Sequence, residues 1–427
     1  MINFWIGLPI PFRFVLLAIL GIVGGAVANY VIYTWCWFPR PIDPWAKPSE
    51  KAPPRRPIDR VPILGWFTLS RESSLHGRGF WIRPLLIETG LAIALPLLYW
   101  YETQVGGLLP LDQLAGAKAA AVLTSFQGWG HTIFFCHAVL LFLMVAATFI
   151  DFDEQTIPDQ ITIPGTLFAL VFAALTINGF MPTAFPVGVE PKQFLQTTFQ
   201  MPWTPVDPKW WTRTGLMTGL LIWSGWCFAL ADRRLILRRG MAKAIEFFCA
   251  GLVRHSTWKL LLGIWAVGVV VISIVYCIGG SNWLGLLSSL IGLAVGGGVI
   301  WAIRIIASSA MGVEAMGFGD VTLMAMIGAF VGWQAAVIAF FLAPFAAIAI
   351  VLFQYIVTRQ PRIPFGPYLC AGTAMTVVGW DAVSNQWLMP NLSALGAFIL
   401  WLCLAMLGLM GVMLFVWRHI KQAVFAR

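Results

Sequence analysis

The chain is a succession of long apolar runs separated by short polar stretches, many of which are basic. A bilayer core about 30 Å thick requires roughly 20 apolar residues of helix, and runs of this kind recur along the whole chain. The pattern predicts an all-α, polytopic integral membrane protein with about eleven transmembrane segments. The predicted segments are 10–36, 85–101, 131–150, 161–179, 214–231, 260–279, 285–307, 320–333, 335–357, 366–382 and 392–417.

Composition and charge support the membrane assignment. The chain is 59% hydrophobic and 11% charged, whereas soluble domains carry about 25% charged residues. The net charge of +9 does not indicate nucleic acid, because the basic residues cluster in loops between apolar runs, where they orient the chain. These loops are 37–84, 232–259, the stretch with Arg359 and Arg362, and the C-terminus. If the first loop is cytoplasmic, alternation of the segments makes every basic region cytoplasmic.

Two aspartates stand at the mouths of apolar segments. Asp151 closes one long apolar run and Asp320 opens another. Acidic residues in or near a membrane are expensive, so both are functional candidates. Each also has a purely structural explanation, Asp151 as a water-facing cap and Asp320 as a helix N-terminal cap. The same topology places both at the cytoplasmic ends of their segments, where they can meet.

Paired aspartates are suited to peptide hydrolysis. Two close carboxyl groups share a proton, so that the charged one activates a water and the protonated one assists the scissile carbonyl or the leaving amine. Gly317 and Gly319 permit a close approach of a substrate backbone to Asp320. No cofactor or metal site is expected, because the cysteines form no CxxC pair and His131 and His137 are poorly spaced for two ligands on one helical face.

These features resemble the bacterial type IV prepilin peptidases, which are GxGD-type membrane aspartic proteases. Gly317-Phe318-Gly319-Asp320 is similar to the second catalytic motif of that family. Ile150-Asp151, followed by Ile157-Pro158-Asp159, is similar to the first. The resemblance implies that Asp151 is catalytic together with Asp320, and that Asp153 and Asp159 are not.

Further segments extend the resemblance over most of the chain. They are Pro364-Phe365-Gly366-Pro367-Tyr368, Gly25 with Asn29, Val61-Pro62-Ile63-Leu64, and Arg83 with Glu88. The resemblance implies substrate contacts at Gly317, Gly319, Glu314, Pro364 and Gly366. It also implies that the protein cuts the leader of type IV prepilins or type II secretion pseudopilins at the cytoplasmic face of the bacterial inner (plasma) membrane. The lipid bilayer is the other expected partner.

The chain departs from the family pattern in three respects. Loop 37–84 lacks the two CxxC pairs that many members have there, which argues against zinc and against N-methylation of the mature pilin. The two aspartates are farther apart than usual, and the surplus is interpreted as an inserted hairpin of two spans. Thr322 stands where the family commonly has a lysine.

The predicted domain organisation follows from these motifs. Residues 1–101 form an amino-terminal span, loop and second span, and 102–179 carry the first catalytic aspartate. Residues 180–284 are the insertion, 285–382 the GxGD core, and 383–427 an additional C-terminal helix. Two alternatives stay open: an ion- or proton-coupled transporter, for which no internal repeat is seen, and a non-catalytic peptidase-like assembly subunit.

Overall fold

A computed structural model describes most of the chain. The described residues are 2–111, 116–185, 193–200, 206–231, 256–312, 316–358, 364–388, 391 and 398–425. Glu314, most of the basic loop 232–259, and Arg359 with Arg362 lie outside the described residues.

Helices make up nearly all of the regular structure. In chain order they are α1 Ile2–Gly7, α2 Ile10–Thr34, α3 Leu64–Leu69, α4 Ser73–His76, α5 Ile82–Tyr99, α6 Gly116–Glu154, α7 Asp159–Leu175, α8 Arg213–Ala231, α9 Ser256–Ile278, α10 Gly280–Met311, α11 Phe318–Thr358, α12 Gly366–Val378 and α13 Phe398–Phe425. Two short strands, β1 Pro182–Phe185 and β2 Gln193–Gln196, pair in antiparallel register with Pro182 opposite Gln196.

The predicted all-α membrane class is confirmed. Within the described residues, six helices are long and apolar enough to cross a membrane, and shorter apolar helices accompany them. Every predicted segment coincides with a helix in its described part. The segments 320–333 and 335–357 lie on one element, α11, which is interrupted at Gly332 by a non-helical φ of 81°. The number eleven stays a prediction.

The chain divides into two compact units. Unit 1 comprises Met1–Gly165 and Ile338–Pro390, and unit 2 comprises Thr166–Val337 and Asn391–Arg427. This division differs from the five sequence domains, which stay a prediction.

Unit 1 is built around close packing of α2 on α5. A Cβ atom on Gly21 would lie 2.3 Å from the carbonyl oxygen of Leu91, and one on Gly25 would lie 2.6 Å from the Cα atom of Glu88. Only residues without a side chain allow the backbones to approach this closely, as is common between membrane helices.

The loop between α2 and α5 is organised by buried ion pairs. Arg71 donates hydrogen bonds to both oxygens of Asp59, and Arg55 lies 3.2 Å from Glu72 with both side chains buried. The Arg71 guanidinium holds the pKa of Asp59 well below its usual range. This loop is therefore a folded subdomain, which these ion pairs stabilise.

Unit 2 is held together by a glycine seam between α10 and α11. Cβ atoms on Gly292 and Gly296 would lie 2.0 Å and 2.4 Å from the carbonyl oxygens of Gly328 and Met324. The small-xxx-small spacing of Gly292 and Gly296 is typical of such close helix packing.

The helices of the predicted insertion contact each other. The Trp223 indole of α8 donates to the carbonyl of Trp265 on α9 at 3.0 Å, and the Trp265 indole donates to Ser224 at 3.0 Å. A two-helix arrangement is therefore present in unit 2, while its status as an insertion stays a prediction.

Candidate active site

Asp151 lies in the last turn of α6 and is buried, with 4% of its surface exposed. The helix ends because Gln155 adopts a left-handed φ of 54°, and the Gln155 amide still donates to the Asp151 carbonyl at 2.8 Å. A left-handed residue just after the last turn is a common way to end a helix. The alternative explanation of Asp151 as a water-facing cap does not agree with this burial.

The carboxylate of Asp151 binds the start of α12. The Gly366 amide donates to Oδ2 of Asp151 at 2.9 Å. The first amides of a helix have no partner within the helix and attract negative charge. A Cβ atom on Gly366 would lie 2.5 Å from Oδ2 of Asp151 and 2.9 Å from Cδ1 of Ile157. Gly366 therefore positions Asp151, and the substrate contact that the resemblance implies for Gly366 stays a prediction.

Pro364 and Asp159 flank this part of unit 1. Pro364 is buried and lies two residues before α12. Asp159 occupies the first turn of α7, where a carboxylate is favoured by the helix dipole. That placement agrees with a structural role for Asp159.

Asp320 lies in the first turn of α11 and is 7% exposed. Thr322, which stands at the position of the family's lysine, is buried, and its hydroxyl donates to the carbonyl of Gly319 at 3.0 Å. A Cβ atom on Gly317 would lie 3.5 Å from Oδ2 of Asp320, which is an ordinary contact. Gly317 and Gly319 are absent from the glycines with positive φ among the described residues, so neither is required for a left-handed turn.

Arg304 is a buried residue of unit 2 that the sequence interpretation passed over. It lies in α10, is 3% exposed, and its Nε donates to the carbonyl of Met316 at 2.8 Å. Its guanidinium lies 5.5 Å from the centre of the Phe318 ring. Arg304 therefore binds Met316, the residue directly before Gly317-Phe318-Gly319-Asp320. An arginine inside an apolar segment is itself a sign of function, and that signal was available in the sequence.

The amino-terminal residues of the resemblance meet at Glu88. Its carboxylate accepts hydrogen bonds from the Asn29 amide at 3.1 Å, the Trp66 indole at 2.8 Å and the backbone amide of Ile63. Ile63 has a φ of 65°, which is unusual for a β-branched residue. The cluster fixes the loop subdomain on α2 and α5, so these residues have a clear structural role.

The two candidate aspartates belong to different units, Asp151 to unit 1 and Asp320 to unit 2. Among the described residues no group of three or more His, Cys, Asp or Glu side chains is placed to hold a metal ion. The fold and these buried carboxylates define a multi-pass, all-α membrane protein with acidic groups at helix ends.

Comparison with known proteins bears on the part of the chain that contains Asp320. Residues 253–352 match the model of the type IV leader peptidase family. The matched range contains Gly317-Phe318-Gly319-Asp320 and does not reach Asp151. The predicted resemblance to type IV prepilin peptidases is thus confirmed for the segment that carries the GxGD motif.

Similar proteins carry the name prepilin leader peptidase/N-methyltransferase. The one from Aeromonas hydrophila is 33% identical over 107 residues, which are 24% of this chain and 36% of the relative. That from Burkholderia pseudomallei (strain 1026b) is 33% identical over 96 residues, 21% of this chain and 30% of the relative. That from Stutzerimonas stutzeri is 30% identical over 122 residues, 25% of this chain and 42% of the relative. The chain spans well under half the length of these relatives, and no solved structure matches it.

Proposed function

We propose that the chain is a membrane-embedded aspartic endopeptidase that removes the leader of type IV prepilins or type II secretion pseudopilins. The observation that carries the proposal is the match of residues 253–352 to the type IV leader peptidase family, with Asp320 buried at a helix start inside that match. The second buried carboxylate, Asp151, supplies the partner that an aspartic mechanism requires.

In the proposed reaction, Asp151 and Asp320 form a dyad that shares one proton. The ionised carboxylate takes a proton from a water molecule while the oxygen of that water attacks the scissile carbonyl carbon. The protonated carboxyl group stabilises the developing oxyanion and then gives its proton to the leaving amine, which balances the reaction. The dyad titrates as a unit, so neither role is assigned to one residue.

The remaining residues of the site have supporting roles in this proposal. Gly317 and Gly319 leave room beside Asp320 for an extended substrate backbone, and Glu314, three residues before Gly317 in the sequence, is assigned a substrate contact. Pro364 leads into α12, and Gly366 holds Asp151.

The topology supports cleavage at the cytoplasmic face of the inner membrane. If loop 37–84 is cytoplasmic, as the positive-inside rule favours, the basic regions, and with them Asp151 and Asp320, lie on the cytoplasmic side. A prepilin whose apolar helix lies in the membrane would present its leader junction at this level. N-methylation, the second activity in the relatives' names, is not part of the proposal, because loop 37–84 lacks the cysteine pairs described above.

The proposal is tested by cleavage of a co-expressed prepilin in cells that contain equal amounts of wild type, Asp151→Asn or Asp320→Asn. Cleavage by the wild type and its loss in both variants is expected. Asp207→Asn is the matched control, because this residue, whose side chain is 45% exposed, caps the short helix Pro208–Trp211 and asparagine caps equally well. A wild type that cuts no prepilin from its own cell would contradict the proposal and favour transport. Full cleavage by either variant would refute the dyad.

A further inference from the structure

Two acidic residues that the proposed mechanism does not use follow Asp151 at the end of α6. Asp153 and Glu154 are the last two residues of that helix. Both are engaged by residues far away in the sequence, which belong to the amino-terminal part of unit 1.

Asp153 is bound by two arginines. Arg83, at the start of α5, donates from Nη1 to Oδ1 at 2.7 Å and from Nη2 to Oδ2 at 2.9 Å, and Arg40 donates to the same Oδ2. The Asp153 side chain is 17% exposed, and those of Arg83 and Arg40 are 31% and 37% exposed. An exposed ion pair contributes little by itself, but a bidentate pair within a network is the exception.

Glu154 binds backbone rather than side chains. Its Oε2 accepts a hydrogen bond from the Trp37 amide at 2.6 Å, and its Oε1 accepts one from the Phe38 amide at 2.8 Å. These amides follow the end of α2, where the chain turns into the loop subdomain. Because two successive amides donate hydrogen bonds to one carboxylate, the direction of that turn is fixed relative to α6.

The arginines are themselves held in place. The guanidinium groups of Arg40 and Arg83 lie 5.3 Å and 5.4 Å from the centre of the Tyr33 ring, and Arg83 also donates to the Tyr33 hydroxyl at 3.2 Å. Tyr33 is 2% exposed, so the arginines rest on a rigid surface of α2. Arg83 also lies over Phe149, on the turn of α6 that carries Asp151.

We infer that Asp153 and Glu154 are positioning residues that fix the end of α6, and with it Asp151, against the loop subdomain and the start of α5. The inference rests on the proposed peptidase function and deepens it, since residues 37–40 and Arg83 become part of the proteolytic machinery. Both oxygens of Asp153 accept hydrogen bonds from guanidinium groups, so its described contacts are those of an anchor. Asp153 therefore acts through Asp151.

The test measures kcat and KM for prepilin cleavage by purified, reconstituted Asp153→Asn, Arg83→Gln and the double variant. A displacement of about 1 Å costs on the order of 100-fold in rate, so a partial release of α6 is expected to lower kcat about tenfold. KM should stay near the wild-type value. The double variant should lose no more than the worse single variant, because both substitutions break the same contact.

Glu50→Gln is the control, because it removes a carboxylate from an exposed position in the loop between α2 and α5. Wild-type kcat for Asp153→Asn would overturn the inference. So would complete loss of cleavage in Asp153→Asn with an unchanged kcat in Arg83→Gln, because Asp153 would then be catalytic itself.

A second readout does not depend on cleavage. Amide hydrogen exchange in residues 149–155 should be faster in Asp153→Asn than in Glu50→Gln, because α6 loses its anchor. Equal exchange would overturn the inference. If the wild type cuts no prepilin, the proposed function fails by itself, and exchange still decides whether the anchor exists.

Discussion

Substitution of Gly366 by alanine tests how closely Asp151 is fitted to the start of α12. The added Cβ atom would lie 2.5 Å from Oδ2 of Asp151, whereas ordinary contacts begin at 3.4 Å. The carboxylate must therefore retreat by about 1 Å, a displacement that typically costs about 100-fold in rate. The retreat also weakens the 2.9 Å hydrogen bond from the Gly366 amide. A hydrogen bond to a charged group is worth about 1.5–3 kcal/mol, which corresponds to a loss of rate of the same order as that from the displacement.

The assay is prepilin cleavage by reconstituted Gly366→Ala, with kcat and thermal stability measured on the same preparation. The fold should survive, because alanine favours a helix over glycine by about 1 kcal/mol. Gly90→Ala in α5 is the matched control, since its added Cβ atom would meet nothing within 4 Å. Gly366→Ala with the kcat of Gly90→Ala would refute the assignment of Gly366 as the residue that positions Asp151.

Two further predictions concern Arg304 and Asp43. Arg304→Gln removes the hydrogen bond to the Met316 carbonyl and the charge beside Phe318. Because a hydrogen bond from a charged group is worth about 1.5–3 kcal/mol, kcat should fall tenfold or more, and Arg304→Lys should have an intermediate kcat. Equal kcat values for both variants and the wild type would contradict this role. Burial raises the pKa of Asp43 to about 6. The folded state binds the proton of Asp43 more tightly than the unfolded state does. The stability that this proton contributes is therefore complete below about pH 4 and is lost as the pH rises through 6, which lowers the free energy of unfolding by up to about 3 kcal/mol. Hydrogen-exchange protection of residues 42–46, corrected for intrinsic rates, should therefore fall between pH 4.5 and 7.5 in the wild type and not in Asp43→Asn; parallel pH profiles would contradict it.

Much of the fold could be predicted from sequence, because the bilayer imposes a single strong rule. Each predicted span needs only a local count of apolar residues, and each coincides with a helix in its described part. The gap between two predicted segments, at residue 334, lies two residues from the break at Gly332. It was not recognised as an interruption inside one element, because the apolar pattern continues through it.

The candidate site was only partly predictable. Asp151 and Asp320 stood out because a carboxylate at an apolar boundary is costly. Their supporting contacts join residues far apart in the chain: Gly366 to Asp151, and Arg83 to Asp153. No local periodicity encodes such pairs. Arg304 differs from these pairs, because an arginine within an apolar run can be recognised in the sequence without knowledge of its contacts.

The most direct test of the central claim is whether Asp151 and Asp320 come together in the membrane. In a variant whose seven native cysteines are replaced, Asp151→Cys and Asp320→Cys would be treated with a short thiol cross-linker in native membranes. The pair Asp151→Cys and Gly366→Cys is the positive control, because Oδ2 of Asp151 lies 2.9 Å from the Gly366 amide. The account predicts cross-linking of the two aspartate positions with a yield close to that of the control. Cross-linking of the control without cross-linking of the aspartate pair would contradict it.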